Sequence, residues 1–185
     1  MTEILESAGQ YRLRLEIDQW SQSPRTDHDN LCHVITVPGS RYIDVDADGG
    51  LLQDGWGRIK ERADAVEVFT RWACTFHGAV IAVHTPAQGA DSIWYLLPDG
   101  IAEVTDPQEY IRGEISEYRH WADGEVYGYT IEKSVTWKRA DNQDGEMRTW
   151  EPLESCWGYI GHQWAVEAAT AEFALYKAEV EATPA

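Results

Sequence analysis

Residues 124–161, GEVYGYTIEKSVTWKRADNQDGEMRTWEPLESCWGYIG, are the stretch on which the reading of the fold turns. Two runs rich in Tyr, Trp, Val, Ile and Thr flank a polar centre ending in Asn142-Gln143-Asp144-Gly145, the pattern of two strands joined by a turn. Rings of this size need a surface to cover. The hairpin is therefore expected to floor the core, with Val126, Ile131, Val135 and Trp157 turned inward.

Upstream, YRLRLEI at 11–17 alternates large apolar with charged side chains and puts Tyr11, Leu13, Leu15 and Ile17 on one face of a strand. Leu31 to Val37 reads as a second strand, ended by Pro38-Gly39, and the apolar runs 79–83 and 92–97 read as buried strands. One helix is expected from Trp56 to His77, closed by Gly78. A second opens at Thr105-Asp106-Pro107 and ends near Asp123-Gly124, and a third runs from Trp164 to Glu181. Residues 1–9 and 182–185 are expected to fray. The order predicts an α+β single domain: a mostly antiparallel sheet with a long late hairpin and about three helices packed on one side.

A chain of 185 residues is long enough to bury about 70% of its unfolded surface around one core. Its formal charge of −17, from 32 acidic against 15 basic residues, repels phosphate backbones and anionic lipids. Direct nucleic-acid or membrane binding is therefore not expected, whereas basic protein surfaces are attracted. Three widely spaced cysteines and an opening Met1-Thr-Glu-Ile with no apolar stretch after it point to a reducing cytoplasm.

Asp44, Asp46 and Asp48 stand at alternate positions before Gly49, as carboxylates do in calcium loops. The twelfth position, where such loops place Glu, is Gly55, so the stretch reads first as a solvated acidic tip and second as a weak calcium site. Cys32, His33, Cys74 and His77 have the donor types for zinc without a usual finger spacing, and core cysteines are the alternative. Arg25, Asp27, His28 and Asp29 in the 23–30 loop could line a cleft, or the loop could simply bond to itself.

Ser23-Pro-Arg25 followed by Asp29-Asn-Leu31, together with Gly124 to Tyr129 and Ser155 to Gly161, resembles a group of small acidic proteins encoded by bacteriophages and prophages. The resemblance covers the two ends of the sequence and assigns no catalytic role. The group has no settled activity; combined with the charge of −17, the resemblance implies a non-enzymatic protein that acts in the host cytoplasm by binding and inhibiting or redirecting a host protein. In its sharpest form this is an anti-defence role, anti-restriction or anti-CRISPR, in which carboxylates imitate DNA phosphates. Glu109, Glu114 and Glu117 on the second helix, with Glu167, Glu172, Glu179 and Glu181 on the third, would supply the anionic face, unless they are only solvated. The alternative is a metal-dependent or hydrolytic phage accessory enzyme using the 23–30 and 44–48 loops.

Overall fold

Alternation along YRLRLEI makes a one-sided strand, and that strand centres the first of two sheets. The computed structural model describes residues 2–37, 52–86, 91–138 and 146–182. Strand β2 (Tyr11–Ile17) buries Tyr11, Leu13 and Leu15 and pairs antiparallel with β6 (Val126–Lys138), which pairs in turn with β7 (Glu146–Ile160). The late hairpin is thus present, although its turn at 139–145 lies outside the described residues. On the other edge, residues expected to fray form β1 (Thr2–Ala8), paired antiparallel with β2. Most of its side chains are exposed, and besides backbone pairing it is held by Leu5 and Ala8, which pack against the apolar cluster of this sheet. The sheet order is β1-β2-β6-β7.

Helix α6 (His162–Ala182) covers one face of that sheet, packing Ala165, Ala169 and Phe173 against Leu13, Leu15, Tyr129 and Ile131. Val126 and Ile131 are buried as expected, Val135 is half-buried, and Trp157 is not a core residue, being 46% exposed. The cause is a bulge. Tyr127 pairs with Tyr159 and Tyr129 with Cys156, so Trp157 and Gly158 together oppose Gly128. Gly158 takes φ of 89°, a conformation that favours glycine, and the Trp157 indole lies on Gly128, where a Cβ would meet it at 2.1 Å. The second register shift leaves Leu153 unpaired beside Pro152, where a residue without an N–H is tolerated.

The second sheet has the order β3-β5-β4, from β3 (His33–Thr36), β4 (Val80–His84) and β5 (Ser92–Leu96), all antiparallel. Strand β5 is buried at every position. Ile93 and Tyr95 join a cluster with Trp56 of α2 (Gln53–Ile59) and Phe69 and Ala73 of α3 (Ala65–His77). On the opposite side Trp94 meets Tyr118 of α5 (Pro107–Ala122), ring centroids 5.8 Å apart. Two short helices complete the order, α1 (Pro24–Asp27) and α4 (Pro98–Ala102).

The helix expected over 56–77 is two helices, because residues 60–64, KERAD, turn between α2 and α3 with Arg62 bonded to Asp64. Gly55 lies under the Trp72 indole, where a Cβ would come within 2.5 Å, so its lack of a side chain lets α2 and α3 approach. Gly78 ends α3 in the left-handed conformation, and the Asp106 carboxylate caps α5 by accepting from the Gln108 and Glu109 amides, both as expected.

The described residues group into two compact units, 1–22 with 120–185 and 23–119, each with its own apolar cluster. One core was expected. Strand β5, covered on both faces, and β2, covered by α6, belong to different clusters, which the chain order alone does not reveal.

Candidate protein-binding surface

The 23–30 loop bonds to itself. Ser23 Oγ accepts from the Arg25 amide at the start of α1, with Pro24 in the first turn where no amide is needed. Asn30 Nδ2 donates to the carbonyls of Pro24 at 2.7 Å and His28 at 2.9 Å. Arg25 is drawn inward: one guanidinium nitrogen reaches Glu114 Oε2 at 2.8 Å, another donates to the Cys32 carbonyl at 2.7 Å, and the group stands 5.4 Å from the Trp94 ring centre. Glu114 Oε1 accepts from the amides of Leu31 and Cys32. The Ser-Pro-Arg and Asp-Asn-Leu motifs thus fasten α1 and the approach to β3 onto α5.

These contacts decide several expectations. Arg25 and His28 both reach α5, Arg25 at Glu114 and His28 with its Nδ1 2.8 Å from Glu117; the Asp27 side chain lies outside the described part. Glu114 was expected on an outward anionic face and is only 7% exposed, held there by Arg25 and two amides. Glu117 is half-buried beside His28, which leaves Glu109 as the exposed member of its three. Burial, and then the Glu114 carboxylate, pushes the Cys32 thiol up; the same two causes push Tyr110 up to about 12.

On α6 the expected carboxylates differ in their settings. Glu167 and Glu181 are exposed, Glu172 is half-buried, and Glu179 accepts from the Tyr11 hydroxyl at 2.9 Å. Lys177, the helix's one lysine, is bound to Glu6 at 2.8 Å. Trp164 and Leu175 stand among these acids at 66% and 65% exposure.

The sheet face away from α6 carries a charge ladder. Glu132, 5% exposed, accepts from Arg12 at 2.5 Å and Arg14 at 2.7 Å, Arg14 also bonds Glu16, and the Arg12 guanidinium lies 4.2 Å from the Trp150 ring centre. These residues alternate with the core residues Tyr11, Leu13, Leu15 and Ile131, as the pleat requires. Nearby, Ile17, Asp18, Gln19, Trp20 and Trp157 line an open depression of about 440 Å³, with Trp20 90% exposed.

The sequence reading expects Trp157 in the core, where the structure exposes it, and gives Trp20 and Trp164 no role, although both are exposed. Gly158, beside Trp157, is the local signal of the bulge that re-aims this side chain. The Asp44, Asp46 and Asp48 candidate lies outside the described residues. Among the described residues, no group of three or more His, Cys, Asp or Glu is placed to hold a metal. No described helix is long and apolar enough to cross a membrane. Compared with protein-family models, curated proteins and solved structures, the chain matches none.

Proposed function

We propose that the protein is a non-enzymatic binding protein that engages a basic surface on another protein. In the phage setting its motifs imply, that partner is a host protein that handles nucleic acid, inhibited or redirected in an anti-defence, DNA-mimicking role. The observation that carries this reading is α6, where Glu167 and Glu181 face solvent beside exposed Trp164 and Leu175, while Lys177 is already taken by Glu6. Acids alone would give attraction without grip. Large apolar side chains among them supply area that a partner can desolvate.

The formal charge of −17 makes association with a basic partner fast and salt-sensitive. The test is capture from nuclease-treated host lysate on the immobilised protein at low and high salt, with duplex DNA as competitor. A nucleic-acid-handling protein retained at low salt, released by high salt and displaced by DNA is the expected result. Failure to retain such a protein at low salt sinks the reading.

A further inference from the structure

Helix α6 has two apolar sides. The inner one, with Ala165, Ala169 and Phe173 buried and Val166, Tyr176 and Val180 beside them, packs on the sheet. The outer one runs Trp164, Ala168, Ala171, Leu175, Ala178, Ala182, in steps of four and three alternately, the spacing of a coiled-coil seam. Five of these side chains are exposed and Ala168 is half-buried. In that heptad frame Glu167, Glu172, Glu179 and Glu181, every glutamate of the helix, fall on the positions flanking the seam. Lys177 falls outside both seam and flanks and is tied to Glu6.

We infer that this outer seam docks an amphipathic helix of a partner protein whose own apolar seam is flanked by Lys or Arg. The inference rests on the basic-partner reading and gives that partner a shape. Alanine at four of the six seam positions lets a second helix approach closely, and Trp164 and Leu175 are the anchors. The helix is about 30 Å long, room for a partner helix of similar length. A second copy of this chain is disfavoured by charge, since both flanks are acidic and pairing would set Glu against Glu.

The test uses the intact protein and three synthetic peptides about as long as α6. The first has Leu and Ala along the seam and Lys at the flanks; the second has the same residues scrambled; the third has Glu in place of Lys. Calorimetry at low salt should show the first binding at least roughly tenfold more tightly than the second, and the third not at all. Leu175→Asp should abolish binding of the first peptide without moving the melting temperature, because Leu175 is 65% exposed. Glu167→Gln with Glu181→Gln should weaken binding and flatten its salt dependence. Equal binding of the first two peptides overturns the helix-docking inference and leaves the basic-partner reading standing, since their charges are equal. Binding of neither peptide, with a host protein still captured at low salt, also overturns the seam alone. A dimer in sedimentation that Leu175→Asp dissolves overturns it in favour of a second copy.

Discussion

The two sheets handle their faces in opposite ways. In the 23–119 unit, β5 is buried at all its positions, with α2 and α3 against Ile93 and Tyr95 and α5 against Trp94. In the other unit, β2 buries Tyr11, Leu13 and Leu15 under α6 and turns Arg12, Arg14 and Glu16 the other way. A strand covered on both sides needs a continuous apolar run, and one covered on a single side needs alternation. Exposed large apolar residues follow the same division. Phe76 and Val83 stand out in the first unit, while Trp20, Trp137, Trp157, Trp164 and Leu175 are among those in the second. The doubly covered sheet directs its chemistry inward, to Arg25 and Glu114, and the unit of the singly covered one leaves more large apolar side chains exposed.

Breaking the inward node should have the largest effect. Glu114→Ala would take the Glu114 carboxylate from the Arg25 guanidinium, 11% exposed, and leave two amides without this acceptor. Urea unfolding should record a loss of about 3–5 kcal/mol. A loss below about 1 kcal/mol, the value of a surface pair, would erase the contrast between the units. Gly128→Ala comes next, because its Cβ must push the Trp157 ring off the sheet. It should cost about 1–3 kcal/mol. Most of that cost should disappear when Trp157 is already Ala, which a double-mutant cycle would show.

Alkaline titration probes both units together. Tyr110 is pushed up to about 12 by burial and then by Glu114, and Tyr176 to about 12 by burial and then by its hydrogen bond to Glu154. Both therefore keep the proton in the fold at pH values where an unfolded tyrosine, near 10, has lost it. Their contribution to stability is complete below pH ~10 and is lost as pH rises from there through about 12. Ultraviolet phenolate absorbance should show these two titrating late, and Glu114→Gln should bring Tyr110 back toward the ordinary value while leaving Tyr176 in place. The smallest effect belongs to Trp20→Ala, which should move stability by no more than about 0.5 kcal/mol because the ring is 90% exposed. A larger loss would mean that the ring serves the fold.

What could be read from the sequence was local. The alternation of β2, the two arms of the hairpin, the Asp106 cap and the Gly78 stop each depend on neighbours within a few residues, and each was legible. Strand β1 was not, because TEILESA has little apolar pattern and its anchors, Lys177 on Glu6 and His162 near Glu3, come from the far end of the sequence. Glu114 looked like any acid on a helix until Arg25, 89 residues away, was seen to meet it. The break between α2 and α3 escaped notice because Ile59, Ala63 and Val66 keep helical spacing across it. Of the candidate site, the acids of α6 were legible as charges. Their setting was not, because the inner stripe Val166, Ala169, Phe173, Tyr176 and Val180 accounts for the helix by itself and the alanines of the outer one carry little apolar signal.

The pairing of β2 with β6, Tyr11 opposite Lys133, sets a timetable for synthesis. The 23–119 unit is continuous, so every contact within it is available once residue 119 has left the ribosome. The other unit is built from both sides of that insertion, and β2 must wait with Leu13 and Leu15 uncovered until the hairpin and α6 have been made. Arg12 and Arg14, alternating with those leucines, break up their apolar run during the wait. The same two arginines that later bond Glu132 on the finished sheet are thus what interrupts the apolar run of the nascent strand.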